Sequence, residues 1–355
     1  RGSSRDLVFT ADQRARSRVF IAEDVRTSES GASTSPTPGD VAVEAFDFGP
    51  GENDLFIVTS TLTDPPDIYR VDSDGTLDRL TTVNPQVAGW QLPQIELVRW
   101  TASDGTEVEG ILELPHGYRK EQGPLPLVVE LHGGPTADTK YRFRFWIYGR
   151  TLMPAQGYAL LSPNYRGSTG YGDEFMVQLV GRENDVDVDD IMTGVDAMIE
   201  RGLADPDRLA VMGWSNGGFL TNCIITTNNR FKAASSGAGV VDQVLQWGLE
   251  DTPGHVINFM GGKLPWADVH EYRAGSPLYR LHTVATPTLI HVGENDPRVP
   301  LAHSQTLYRA LKTYLGVPTE LVVYPGEGHG LTTYDHRKAK MEWDLAWFAK
   351  YLTTE

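Results

Sequence analysis

The stretch Val211-Met212-Gly213-Trp214-Ser215-Asn216-Gly217-Gly218-Phe219 decides how the chain is read. Its pattern is strand, sharp turn, helix. Gly213-Trp214-Ser215-Asn216-Gly217 fits G-x-S-x-G, the elbow that presents a serine at the tip of a strained strand-to-helix turn. Such a turn tolerates no bulk beside it, and glycines stand two residues to either side of Ser215. The N–H of the next residue, Asn216, then points at an oxyanion forming on a substrate. The start of the following helix adds a field that favours that negative charge. A glycine-rich turn carrying an ordinary serine has the same five residues, so the rest of the chain must decide.

Outward from the elbow, strands alternate with helices, the pattern of an α/β fold with a mostly parallel sheet. Residues 94–100 and 107–114 predict a hairpin about Ser103-Asp104-Gly105. Residues 125–131 form an apolar strand running into His132-Gly133-Gly134-Pro135, and residues 158–162 a strand ending at the segment 163–172. Val188, Ile191, Met192, Val195, Met198 and Ile199 fall on one face of a helix. Asp187, Asp189 and Asp190 open that helix, where the dipole favours acids, and are read as a helix start rather than a metal site. Further strands are expected at 208–212, 233–241, 288–292 and 320–324, with helices at 300–315 and 340–352.

Three of these strands end at residues that chemistry can use together. Ser215 follows one strand, Asp296 a later one, His329 the last. Functional groups of open parallel sheets collect at the carboxyl ends of strands. The order Ser, Asp, His is that of an α/β-hydrolase, unlike the orders of chymotrypsin and subtilisin. Serine is a poor nucleophile without an adjacent base. Histidine, with an ordinary pKa of ~6.5, takes that proton and returns it to the leaving group. Aspartate fixes the imidazole tautomer and stabilises the imidazolium. The glycines of His132-Gly133-Gly134-Pro135 let a second backbone N–H approach the oxyanion.

Composition limits the partners. The 355 residues carry a net charge of −16, which disfavours nucleic acid and anionic membrane. Hydrophobic content of 40% and charged content of 22% are those of an ordinary globular protein, and no apolar run has membrane-spanning length. The single cysteine, Cys223, sits among apolar neighbours and reads as a small core residue. H-E-x-x-H, C-x-x-C and Walker patterns are missing, so neither metal nor cofactor is expected.

Residues 6–86 carry only strand signals, in short runs separated by turn clusters such as 49–53 and 72–75, with 31–39 read as a loop. The spacing fits about two blades of a β-propeller, whereas closed propellers use about four to eight. Open sheet edges must be covered. Further blades outside this sequence, the following domain or a second subunit, as in a homo-oligomer, would each do so. The expected division is a partial propeller over 1–90 and a catalytic domain over 91–355. Arg1-Gly2-Ser3-Ser4 resembles neither a signal nor a transit peptide. The chain is expected to start inside a larger protein, and a cytoplasmic compartment is favoured.

From about residue 94 onward the chain resembles the catalytic domain of the prolyl oligopeptidase family of serine peptidases, in its acylaminoacyl-peptidase-like branch. The segments that carry this are HGGP at 132–135, NYRGSTGYG at 164–172, GWSNGG at 213–218, SPL at 276–278, GENDPRVP at 293–300 and GEGH at 326–329. The resemblance implies a triad of Ser215, Asp296 and His329, with Gly134 and Asn216 as oxyanion donors. It places Arg298 at the primary specificity pocket, and an acyl pocket between the elbow and Asp296, where Val256 or Phe259 is expected to contribute. It also implies an N-terminal propeller. Many members have tyrosine where Asn216 stands, which implies a pocket of altered shape. The expected activity is cleavage of short peptides or acylated amino acid amides through an acyl-enzyme. The alternatives are a carboxylesterase acting on short acyl esters, and a silent interaction domain.

Overall fold

The computed structural model describes residues 6–23, 33–50, 54–144 and 152–352. The first residues 1–4, part of the turn at 49–53 and part of the loop at 31–39 lie outside that range. Two sheets organise the molecule. The first contains β1 (Leu7–Asp12), β2 (Ser17–Ala22), β3 (Ser33–Thr34), β4 (Ala42–Phe48), β5 (Leu55–Ser60), β6 (Asp67–Val71) and β7 (Leu77–Arg79). β4 to β7 form an antiparallel meander, the four-stranded unit of a propeller blade. β2 joins it through one parallel pair, and β1 and β3 flank β2. Alternation drives the packing of this sheet: Val19, Val43, Leu55, Ile57, Tyr69 and Val71 turn one apolar face inward.

The second sheet holds β8 (Gln94–Thr101), β9 (Glu107–Leu114), β10 (Leu125–Leu131), β11 (Ala159–Asn164), β12 (Ala204–Trp214), β13 (Ala233–Gly237), β14 (Thr288–Gly293) and β15 (Thr319–Tyr324). Their order is β15-β14-β13-β12-β10-β11-β9-β8. The six strands from β15 to β11 are mutually parallel, and the β8–β9 hairpin adds an antiparallel margin. This is the α/β-hydrolase architecture preceded by an all-β, partial-propeller segment. The helices are α1 (Leu152–Ala155), α2 (Asp173–Val177), α3 (Val186–Glu200), α4 (Asn216–Thr227), α5 (Gln243–Leu249), α6 (Gly254–Phe259), α7 (Val269–Ala274), α8 (Leu301–Tyr308) and α9 (Tyr334–Leu352).

The central strands are buried on both faces, as in sheets flanked by helices. Leu127, Val129, Leu131 and Val211 face one layer, with Ile191 and Val195 of α3, Leu220 and Ile224 of α4, and Leu307 of α8. Val128, Ala210, Met212 and Leu289 face the other, against Trp347, Phe348 and Leu352 of α9. Each strand thus supplies two cores through its period of two.

Some expected elements differ. β13 stops at Gly237 rather than reaching 241, because Ala238 takes a positive φ of 42° and gives its N–H to the His291 carbonyl. The helix expected over 300–315 is α8 continued by one π turn, Arg309–Tyr314. The closing helix begins at Tyr334, not 340. The three aspartates at the start of α3 are engaged by protein groups: Asp189 accepts from Ser103, and Asp190 pairs with the buried Arg166 at 2.7 Å. Asp187 is buried with them.

Backbone and ionic ties dock the first sheet against the second. The Tyr141 N–H donates to the Ala15 carbonyl and the Phe143 N–H to the Thr61 carbonyl, each at 2.7 Å. The Arg14 N–H reaches the Gly170 carbonyl, while its guanidinium reaches Glu107 and Glu109.

Candidate active site

β12 delivers Ser215 in a conformation that L residues rarely adopt, φ 62° and ψ −121°. The glycines explain how it is tolerated. A Cβ on Gly217 would lie 2.0 Å from the Leu131 carbonyl oxygen, and one on Gly213 would lie 2.3 Å from the carbonyl carbon of Gly217. A Cβ on Gly218 would lie 2.2 Å from the Gly237 oxygen, the same atom that accepts the Ser215 N–H at 2.9 Å. The elbow is therefore wedged between β10 and β13, and glycine is the only residue that fits there.

The loops after β14 and β15 interlock in the same manner. A Cβ on Gly293 would sit 2.1 Å from the Gly328 oxygen, and the Asn295 N–H donates to the Glu327 carbonyl. This brings His329 and Asp296 onto Ser215. Nδ1–H of His329 donates to Oδ2 of Asp296 at 2.8 Å, and Nε2 accepts from the Ser215 hydroxyl at 2.9 Å. Asp296 accepts only, so it sets this tautomer. Its carboxylate is fully buried. Oδ1 also accepts the N–H groups of Arg298 and Val299, both at 2.9 Å.

Two groups outside the expected set hold the histidine. The Trp214 indole N–H donates to the His329 carbonyl at 2.7 Å. Glu327 folds the loop beyond it, accepting from Thr332, Thr333 and His336. Burial opposes the charge of Glu327, yet the Thr332, His336 and Thr333 donors hold its carboxyl well below the usual range. Trp214 stood in the sequence as the variable x of G-x-S-x-G, and Glu327 as the x of GEGH. Their positions in those segments were visible; their hydrogen bonds were not.

Asn216 is the first residue of α4, so its N–H has no intrahelical acceptor. Gly134, at φ 124°, lines the same cavity as Ser215 and Asn216. The Asn216 side chain points to Tyr165, donating to its hydroxyl at 3.1 Å, and that hydroxyl donates to the His132 carbonyl at 2.7 Å. Asn216 thus braces the glycine loop through Tyr165, whose ring stacks on His132 at 4.3 Å.

The cavity beside Ser215 has a volume of ≈ 90 Å³, several times the ~10–15 Å³ that admits one water. It has room for a side chain. Val256 lines it; Phe259 is not among the lining residues, and its ring lies tilted against that of His255 with centroids 4.8 Å apart. Of the two, only Val256 is buried in α6, and Phe259 ends that helix. Arg298 also lines it, its guanidinium held by Asp251 at 2.5 Å. Glu183, Gln243, Gln246 and Glu250 complete the wall, and none of them was singled out in the sequence. The signal available for three of them was the spacing 243, 246, 250, one face of a short helix.

Comparison with known proteins gives the family and the fold. The profile of the prolyl oligopeptidase family matches residues 144–355. The chain is 32% identical over 322 residues to an uncharacterized peptidase, YuxL, of Bacillus subtilis, covering 87% of this chain and 47% of that protein. It is 34% identical over 249 residues to acylamino-acid-releasing enzyme 1 of Oryza sativa, covering 66% of this chain and 31% of the enzyme. An uncomplexed acylaminoacyl peptidase of Pyrococcus horikoshii superposes with a TM-score of 0.87 at 25% identity, over 98% of this chain and 54% of that one. The chain thus spans about half the length or less of these relatives.

Proposed function

The chain belongs to the prolyl oligopeptidase family, and from that premise we propose that it is a serine peptidase cleaving short peptides or acylated amino acid amides through an acyl-enzyme. The observation that carries this reading is the continuous hydrogen-bonded line from Ser215 through His329 to the buried Asp296. As the Ser215 oxygen bonds to the substrate carbonyl carbon, its proton passes to Nε2 of His329. The imidazolium is stabilised by Asp296. The carbonyl oxygen takes the negative charge and receives hydrogen bonds from the N–H groups of Gly134 and Asn216. Each such donor contributes about 2.7–4 kcal/mol in the transition state. The C–N bond then breaks, and the leaving amine takes the proton from Nε2. Water repeats the sequence, releasing the acid and restoring the Ser215 hydroxyl. The side chain of the residue under attack enters the cavity lined by Val256, with Arg298 at its mouth.

Division of the chain near residue 90 belongs to the same reading. It places a partial propeller before a catalytic unit, with the 3-10 turn Pro85–Gly89 between the two sheets.

The test is a panel of blocked aminoacyl anilides beside short acyl esters. Turnover of anilides, abolished in Ser215→Ala together with covalent labelling by a fluorophosphonate, is the expected result. Removal of the nucleophile costs about 10⁶-fold in kcat in a serine peptidase. Turnover of esters alone would make the protein a carboxylesterase. A wild type that neither labels nor turns over would be a silent interaction domain. Size-exclusion chromatography of the same preparation reports whether a second subunit is present.

A further inference from the structure

Away from Ser215, Asn216 and Arg298, and besides Thr252 and His255, the polar part of the cavity wall is made of Glu183, Gln243, Gln246 and Glu250, and it holds acceptors that no donor among the described residues reaches. Gln243 and Gln246 of α5 are buried, as is Glu250 immediately after the helix ends, while Leu249, its last residue, is half exposed. A helix that turns glutamine inward and leucine outward inverts the usual pattern. The Gln246 amide N–H₂ is spent twice, on Oε2 of Glu250 at 2.8 Å and on the Arg298 carbonyl at 2.7 Å. Both acceptors fix the orientation of that amide, so its oxygen faces elsewhere. Oε1 of Gln246 and Oε1 of Glu250 are buried and have no hydrogen-bond partner among the described residues. Glu183, half-buried on the opposite wall, has a single donor, the Gln243 side chain at 3.3 Å. Buried acceptors without donors cost about 1–3 kcal/mol each, more when charged. The cavity is thus built for a ligand that brings N–H groups and positive charge.

We infer that this cavity takes a cationic side chain, lysine or arginine, from the residue whose carbonyl Ser215 attacks. The inference rests on the peptidase reading above and deepens it. The one guanidinium at the cavity, Arg298, does not satisfy the wall. It sits at the mouth, about half exposed, and is neutralised by Asp251. An ammonium or guanidinium reaching past it would meet Oε1 of Glu250 and Oε1 of Gln246, with the Glu183 carboxyl facing them. An apolar side chain would leave all of these unpaired, which is how a polar site rejects an isostere lacking the donor.

The electrostatics give a second readout. Burial pushes the Glu183 carboxyl up to about 8, with Asp187 and then Glu250 adding to the effect. Burial also raises Glu250. Around Glu183 stand its chain neighbours Arg182 and Asp185, Asp187 on α3, Gln243 on α5, Glu250 just after that helix, His255 on α6, Glu271 on α7, Arg280 beyond it and Arg298 after β14. A raised carboxyl is neutral below its pKa and charged above it. Attraction for a cation therefore grows as pH rises through about 8, while lysine itself, ordinarily near ~10.4, stays charged.

The experiment measures kcat/KM for acetyl-Lys, acetyl-Arg, acetyl-Leu and acetyl-Phe anilides from pH 6 to 9. The acetyl group removes the α-amine, so a cation is supplied by the side chain alone. The expected result is a preference for Lys or Arg of tenfold or more at pH 8.5, widening with pH. Glu250→Gln is expected to lower the Lys-to-Leu ratio at least tenfold, and Glu183→Gln to flatten its pH dependence. Fluorophosphonate labelling of each variant shows that Ser215 is still assembled. A wild type preferring Leu or Phe, or a ratio unchanged in both labelled variants, overturns the inference and leaves the peptidase reading standing. A preference seen only with unblocked substrates, for any side chain, assigns the acceptors to an α-amine and also overturns it. Loss of all anilide turnover and of labelling in the wild type overturns both readings together.

Discussion

Trp214 occupies the position beside the nucleophile that the elbow motif leaves free, yet its indole N–H grips the loop that carries His329. Trp214→Phe keeps an aromatic ring, although a smaller one, and removes the donor. A neutral hydrogen bond contributes about 1 kcal/mol net, so kcat is expected to fall about fivefold with KM nearly unchanged. Steady-state kinetics on one anilide decides it; an equal fall in Tm-matched labelling and in KM would point to misfolding instead. This contact was not legible in the chain order, because it joins residues 115 positions apart. Ser215, Asp296 and His329 were placed by a different kind of signal. Each closes a strand at the same edge of a parallel sheet, so chain order and strand ends located them together. Gln246 and Glu250 carried no such mark. Polar residues on a short helix normally face water, and which way α5 turns is set by its neighbours, not by its own sequence. Val256 and Phe259 could not be separated for the same reason.

Among the elements, α9 shows how far a pattern reaches. Its apolar face, with Phe348 and Leu352, was legible from helical spacing and packs as expected on the sheet. Lys340 and Asp344 stand one turn apart on the same helix. Both are buried, and Asp344 also accepts from Ser235 at 2.6 Å and meets Nε2 of His291 at 3.2 Å. Burial opposes the Asp344 charge, but Lys340 and then His291 hold the carboxyl down at about 2. A depressed carboxylate stabilises the fold above its unfolded pKa of ~3.9 and loses that contribution as pH falls through its folded value. Asp344→Ala leaves the Lys340 ammonium buried beside an empty site. The expected loss is about 3–5 kcal/mol near pH 7, shrinking as pH drops from 4 to 2. Urea unfolding of both proteins across that range measures it; a difference independent of pH would sink the account.

At the scale of the whole molecule, the two sheets meet through few groups. Arg14 spans them, touching the buried Glu109, which Arg99 and the Tyr171 hydroxyl also reach. Arg142 pairs with Glu44 across the same seam, and Lys140 with Asp12 at 2.8 Å. Arg14, Glu107 and Glu44 are largely exposed, and the buried Glu109 keeps Arg99 when Arg14 is removed; pairs with an exposed partner contribute about 0–1 kcal/mol each. The double variant Arg14→Ala with Arg142→Ala is therefore expected to unfold only slightly earlier overall. Its connecting stretch around the Pro85–Gly89 turn should be cut several-fold faster in limited proteolysis, while Ser215 still labels. Equal proteolysis rates would mean that the backbone ties at Ala15 and Thr61 suffice. The alternation of strand and helix announced the second sheet, and turn-bounded β runs the first. The seam itself had no sequence signature, since its charged residues resemble any solvated surface until both sheets are in place.

The tether on His329 has a kinetic meaning as well. The indole of Trp214 holds its carbonyl, and Glu327 beside it is fixed by four donors from 332 to 336. With its carbonyl held, the imidazole is left with its own torsions, and in the proposed mechanism these would carry the proton from serine to leaving group. Such rotations relax in about picoseconds to nanoseconds, whereas enzymes commonly turn over at about 1–10³ per second. Under the proposed mechanism the histidine would be in place long before each turnover, and the rate would be set elsewhere, in substrate entry, bond making and product escape.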